Sequence, residues 1–253
     1  MNKNLIKLCF LNNLKPETPI YKYIPLKYVA EMFRSKKMRF NRMSEWEDVY
    51  ENYFLKQRLV HKYSENLIDT QDVIDSCYGQ SWSKLPETDS MWRIYSKNKD
   101  AIKVKTTAEK LFNIVCKSET DSANVIMANV NYRTQEDIDD EFDKIEKSNM
   151  SLSQIGNLQN FIRESLITKR SEFIHEEEVR IVKMLEVQPN KNHTAFIEAD
   201  FKPEDFFEEL TIDPRADRID EDNSRDLLLH VGANPSKIKK SNLYTLKRHT
   251  LLI

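Results

Sequence analysis

Glu176, Glu178 and Arg180 stand at every second position of the stretch Phe173-Ile174-His175-Glu176-Glu177-Glu178-Val179-Arg180-Ile181-Val182. A period of two is that of a β-strand, so the spacing predicts a strand leaving an acidic turn. The two carboxylates and the guanidinium would share one strand face, with Glu177, Val179 and Ile181 on the other. A guanidinium can hold one carboxylate through paired hydrogen bonds and leave a second for chemistry. The plain alternative is a solvated charge run, common in a chain with 39 basic and 41 acidic side chains.

Three other blocks combine flat rings with hydrogen-bonding groups: Tyr21-Lys22-Tyr23, Arg39-Phe40-Asn41, and Ser81-Trp82 through Met91-Trp92-Arg93-Ile94-Tyr95. Stacking faces beside a few polar groups are what a nucleotide pocket needs. Arg39 could meet a diphosphate in bidentate fashion. Core packing explains each aromatic equally well when it is taken alone. The chain has only 3 glycines, too few for a glycine-rich phosphate loop. Cys9, Cys77 and Cys116 are scattered, so neither a zinc site nor a disulfide framework is expected, and no metal is assigned.

The elements that must position these residues follow from periodicity. Alternation predicts strands at 38–41, 101–105, 179–183 and 194–199, and shorter ones at 21–24, 77–82 and within 122–132. Helices are expected over 26–36, most of 46–75, from Asp89 through Tyr95, from Thr106 or Thr107 to Val115, over 152–169, and from Asp222 or Ser224 to Gly232. Ser44, with Glu47 three residues on, is a candidate capping box. The run from Thr134 to Ser148 is dense in charge and reads as a solvated helix or a lid. The expectation is one α+β domain over 1–253, with a charged insertion or lid near 134–150. A formal net charge of -2 argues against a broad basic surface but leaves a local basic groove open. No apolar stretch is long enough to span a membrane, and the chain reads as cytoplasmic.

The order of these blocks resembles DUF2971, a family of bacterial proteins. The match runs from about Tyr21 to Arg215. It rests on Tyr21-Lys22-Tyr23, the strand Met38-Arg39-Phe40-Asn41, the acidic segment Ser44 to Glu51, the Met91-Trp92-x-x-Tyr95 block, and Phe173 followed by Glu176-x-Glu178-x-Arg180. Asp48 and Glu51 agree with the family's acidic segment, whereas its Asn and Pro are absent here. The layout is in turn similar to that of ADP-ribosyltransferases. That similarity implies a central, largely antiparallel split sheet and NAD as cosubstrate. It also implies Glu178 as catalytic residue with Glu176 and Arg180 beside it. Tyr21, Tyr23, Arg39, Asn41, Trp82, Trp92 and Tyr95 would hold NAD. The implied activity is transfer of ADP-ribose to a macromolecule by a toxin or antiviral effector that an antitoxin could neutralise, with RNA, DNA, protein and water all open as acceptor. Two other readings stay open: a metal-dependent nuclease using Asp48, Glu51, Glu176 and Glu178, and a non-enzymatic interaction protein binding through 134–148.

Overall fold

The computed structural model describes residues 9–48, 50–57, 59–60, 67–68, 70–117, 124–147, 158–187, 193–248 and 250. In chain order the elements begin with β1 (Phe10–Leu11), β2 (Pro19–Pro25), α1 (Leu26–Ser35), β3 (Lys37–Arg42), β4 (Leu59–Val60), β5 (Leu67–Ile68), α2 (Gln71–Asp75) and β6 (Cys77–Ser83). They continue with α3 (Asp89–Tyr95), β7 (Ala101–Thr107), α4 (Ala108–Val115), β8 (Val125–Asn129), β9 (Asn131–Arg133), α5 (Gln135–Lys147) and α6 (Leu158–Leu166). The remainder are β10 (Thr168–Arg170), β11 (Glu178–Met184), β12 (Phe196–Asp200), α7 (Pro203–Phe206), β13 (Glu209–Ile212), α8 (Arg218–His230) and β14 (Ile238–Lys240). The class is mixed α+β with mostly antiparallel strand pairing.

The chain divides into two compact units. The first takes in the described residues of Met1–Thr18, Arg39–Lys84 and Thr107–Ala199. Its sheet centres on β11, which pairs antiparallel with β6 on one side and with β8 on the other. Val179, Ile181 and Val182 are fully buried, as a strand flanked on both edges requires. β1 joins β8 in parallel, and β3 meets β6 through Asn41 and Arg42. The core gathers Met43, Phe54, Cys77, Ile126, Ala128, Leu166 and Val182. Gly79 lets two strands approach here: a Cβ at this position would lie 2.8 Å from the Ile181 carbonyl oxygen. Cys9, Cys77 and Cys116 are buried thiols.

The second unit takes in Pro19–Met38, Leu85–Thr106 and the described residues of Asp200–Ile253. Its strands run β2-β7-β13-β14, with β7 and β13 antiparallel and β13 and β14 parallel. Tyr23, Met91, Trp92 and Ala101 form a core cluster of their own. Phe33, Phe201, Phe206 and Phe207 stack or meet edge to face nearby in this unit.

Several sequence expectations change. Most of 46–75 is expected to be helical; among the described residues a short α-helix is found at its end, α2 with Thr70 at the N-cap position, while the rest includes a 3-10 turn at Tyr53–Lys56 and the short strands β4 and β5. The reason is visible at Tyr53, Phe54 and Leu55: three consecutive side chains are buried, which one face of an α-helix cannot do. Ser44 lies inside a 3-10 turn, and its hydroxyl donates to Asp75 Oδ1 at 2.5 Å instead of capping a helix. Thr88, not Asp89, caps α3, accepting from the Met91 N–H; Thr107 caps α4 as expected. α8 starts earlier than expected, capped by Asp217, and Gly232 follows it with φ 95°. Residues 152–157 of the expected 152–169 helix lie outside the described residues, α6 covers 158–166, and Thr168 and Lys169 belong instead to β10. The charged run forms α5, which is amphipathic and not solvated all round. Ile138 is buried, and Phe142 stacks on Phe54. No helix among the described residues is long and apolar enough to cross a membrane.

Candidate functional site

The site lies within the first unit, where β11 begins. Glu177 takes left-handed backbone angles, φ 40° and ψ 54°, between the 3-10 turn Ser171–Glu176 and the strand. This kink separates Glu176 from the strand face that Glu178 and Arg180 share. Glu178 pairs with Ser83 and Arg180 with Ser81 across β6. β9 and β10 are parallel, with Tyr132 opposite Lys169. Tyr132 meets the backbone of Glu178, its hydroxyl oxygen accepting the Glu178 N–H at 2.8 Å. Glu51 arrives from far away in sequence. Asn52, the next residue, has left-handed φ 59° and donates from Nδ2 to the Met43 carbonyl at 3.1 Å. Asn is one of the residues that tolerate that conformation.

These pieces build a buried network of charge. Arg180 donates from Nε to Glu178 Oε1 at 2.9 Å, from Nη2 to Glu51 Oε1 at 3.1 Å, and from Nη1 to the Leu166 carbonyl at 2.8 Å. Ser81 donates a short hydrogen bond to the same Glu178 oxygen. The Lys169 ammonium lies 2.7 Å from Glu176, 3.1 Å from Glu178 and 3.7 Å from Glu51. Arg180 and Glu178 are 0% and 2% exposed, so their charges must satisfy one another.

Burial alone would raise the Glu178 carboxyl, but Arg180 and Lys169 outweigh it and hold the group down to about 2. Burial dominates at Glu51 and raises its carboxyl despite Arg180. At Lys169 burial works to lower the ammonium, and the attraction of Glu178, Glu176 and Glu51 reverses this. Burial pushes the Tyr132 hydroxyl up to about 12, with Glu178 and Glu176 adding to the effect. Glu178 is therefore a fixed negative charge, and Glu51 is the carboxylate in this group that binds a proton more readily than usual.

A groove of about 640 Å³ opens beside the network, lined by Glu45, Trp46, Glu47, Asp48, Glu51, Lys169, Arg170 and Phe173. Cationic groups already face its rings: Arg180 lies 4.8 Å from the Trp46 ring centre, and Lys169 4.6 Å from that of Phe173. Arg170 lies 4.5 Å from the Tyr50 ring centre and donates from Nη2 to Asp48 Oδ1 at 3.2 Å.

Glu176, Glu178 and Arg180 thus come together, but with different partners from those the spacing suggested. Arg180 clamps Glu178 and Glu51, and Glu176 pairs with Lys169. Of the residues expected to hold NAD, none lines this groove. Arg39 bonds Glu198 at 2.9 Å and lies over Phe196; Asn41 is an exposed residue of β3. Trp82 is buried and donates to Gln80 at 2.8 Å. In the second unit Tyr23 meets Trp92 edge to face at 4.7 Å and stacks with Tyr95 at 6.3 Å, and the Trp92 indole donates to Glu87 at 2.6 Å. Tyr21 has Lys103 over its ring at 5.5 Å. Three of the four carboxylates of the nuclease reading converge, around Lys169 and Arg180. Among the described residues no group of three or more His, Cys, Asp or Glu is arranged to hold a metal ion. Neither Lys169 nor Tyr132 could be picked out from the sequence. A demand for charge balance around buried carboxylates would have called for a further cation without saying which.

No curated protein matches the chain by sequence. Solved structures similar to it include "Thermus sp. 2.9 DarT in complex with NAD+", 9% identical with a TM-score of 0.41 over 90% of this chain and 98% of that one. Another is "Thermus sp. 2.9 DarT in complex with ADP-ribosylated ssDNA", 10% identical with a TM-score of 0.39 over 90% of this chain and 96% of the other. Residues 91–181, which hold both the Met91-Trp92-x-x-Tyr95 block and Glu176-x-Glu178-x-Arg180, match the family described as "Protein of unknown function (DUF2971)", and this is the family that the chain's motifs resemble.

Proposed function

We propose that the chain is an NAD-dependent ADP-ribosyltransferase that modifies a macromolecule, with Glu178 at its catalytic centre. The observation that carries the reading is the Lys169 ammonium held among Glu176, Glu178 and Glu51. A place that keeps an ammonium among two buried carboxylates and a half-buried third is organised to stabilise positive charge. NAD supplies a ribose carbon that gains positive charge as nicotinamide leaves. A preorganised carboxylate there favours the transition state over the ground state, because the charge it opposes develops only then.

The groove fits one end of NAD better than the other. Trp46 offers a flat face, and Glu51 offers negative charge, to the planar, cationic nicotinamide end. A diphosphate needs cations. The two in the lining, Lys169 and Arg170, are already matched by carboxylates. On this reading Lys169 leaves its carboxylates as the sugar enters, and Glu178 faces the ribose carbon in its place. Arg180 keeps Glu178 oriented, and Glu51 takes up a proton from the acceptor.

The test is incubation of purified protein with NAD labelled in the adenylate and a cell extract, following released nicotinamide and label in protein, DNA and RNA. Release of nicotinamide with label in one macromolecular fraction is the expected result. Neither release nor labelling, from protein shown to be folded, removes the reading.

A further inference from the structure

The groove's lining has more to say about what enters it. Four of its residues are carboxylates, Glu45, Glu47, Asp48 and Glu51, against Lys169 and Arg170. Asp48 is the informative one. Its side chain is only 9% exposed. Oδ1 accepts the Tyr50 N–H at 3.0 Å and the Arg170 Nη2 at 3.2 Å, while Oδ2 is buried with no hydrogen-bond partner. A buried carboxylate oxygen without a donor is costly, and such atoms in folded proteins call for a missing partner. Across the same wall Arg170 lies over Tyr50, 4.5 Å from its ring centre, and 5.6 Å from the Phe173 ring centre. The chain's own guanidinium thereby displays the recognition chemistry of this wall, an aromatic face and a carboxylate edge.

We propose that the groove receives a guanidinium side chain, donating to Asp48 Oδ2 alongside Arg170; resting on the reading above, this makes the acceptor an arginine of a protein. A guanidinium brings five N–H donors, a flat face for Phe173, and the charge the rim attracts. A phosphodiester chain would meet Glu47, exposed at the rim, and be repelled, while Glu45 beside it is already matched by Arg42. The transfer balances simply. The bond between the nicotinamide nitrogen and the ribose carbon breaks, and its electron pair leaves with nicotinamide. A guanidinium nitrogen bonds to that carbon and gives one proton to Glu51, whose burial favours the protonated form.

The experiment measures binding by calorimetry, without NAD, of a short peptide carrying one arginine and of the same peptide carrying the neutral isostere citrulline. The arginine peptide should bind at least about tenfold more tightly, the value of one charge-assisted hydrogen bond. Asp48→Asn should remove most of that preference. Glu47→Gln, at an exposed position where refolding is not at stake, should weaken the arginine peptide about threefold and lose its effect in high salt. Equal affinity for the two peptides, binding of neither, or Asp48-dependent binding of a single-stranded oligonucleotide overturns the inference. Nicotinamide release is scored separately. Release without arginine preference removes this inference and leaves the transferase. Arginine preference without release does the reverse.

Discussion

Arg180 Nη2 lies 3.1 Å from Glu51 Oε1, though 129 residues separate them in the chain. Both side chains are buried, and the same guanidinium holds Glu178. One arginine therefore ties the turn after β3 to the start of β11, and it favours the charged form of both carboxylates against burial, prevailing at Glu178 with the help of Lys169 but not at Glu51.

Replacing it should be expensive. Arg180→Met leaves Glu51 and Glu178 buried with Lys169 as their remaining close cation, and a buried pair broken on one side typically costs about 3–5 kcal/mol. Arg180→Lys should recover only part of this, since one ammonium cannot reach Glu178, Glu51 and the Leu166 carbonyl in the same fork geometry. Urea unfolding of the three proteins measures the differences. A Met variant as stable as wild type would show that the network contributes nothing to folding.

Glu178 links stability to acid. Its carboxyl falls from an ordinary 4.5 to about 2 in the folded chain. A depressed carboxyl stabilises the fold fully above the unfolded value and loses that contribution as pH falls toward the folded one. A shift of this size corresponds to about 3 kcal/mol at neutral pH. Stability should thus decline between about pH 4.5 and pH 2, and Glu178→Gln should flatten that part of the curve. Denaturant midpoints against pH give the readout; an unchanged slope in the variant assigns acid sensitivity elsewhere.

Glu178→Gln also tests catalysis, with a complication only the network reveals. The amide is nearly isosteric, but it faces Arg180 and Lys169 without a charge. Nicotinamide release should fall by about 10²–10³, as for loss of one preorganised electrostatic group. Stability should fall as well, so the comparison belongs at a temperature where circular dichroism shows both proteins folded. Release at the wild-type rate would take Glu178 out of the catalytic role.

Tyr132→Phe removes the acceptor for the Glu178 N–H. An orphaned buried amide costs about 1–3 kcal/mol. Hydrogen exchange at the Glu178 amide should accelerate in this variant while amides at the far end of β11 change less. Uniform acceleration along the strand would mean global loosening.

Gly79→Ala places a methyl 2.8 Å from the Ile181 carbonyl, 3.3 Å from Met43 Sδ and 3.4 Å from the Trp46 ring. Strands β6 and β11 must part slightly, at a cost of about 1–3 kcal/mol. Trp46 borders the groove, so its fluorescence should shift along with the stability. A stable variant with unaltered fluorescence would show that the close approach relaxes freely.

The strands were legible from sequence because alternation is a local property. Val179 and Ile181 announced β11, and Ala101 to Lys105 announced β7. The caps at Thr107 and the stop at Gly232 could be read for the same reason: a cap is decided by neighbours a few residues away. Glu176, Glu178 and Arg180 could be nominated from their spacing, and the resemblance to DUF2971 from the order of the blocks. What the sequence could not decide was partnership. Glu51, Tyr132 and Lys169 come from separate parts of the chain, and their meeting with Glu178 depends on the pairing of β9 with β10 and on the turn at Asn52. Charges find one another through space, and the energy of a buried carboxylate depends on which cation is 3 Å away, not on which residue precedes it. The same physics put a 3-10 turn at Tyr53–Lys56 where an α-helix was expected: Tyr53, Phe54 and Leu55 are all buried, which one face of an α-helix does not allow.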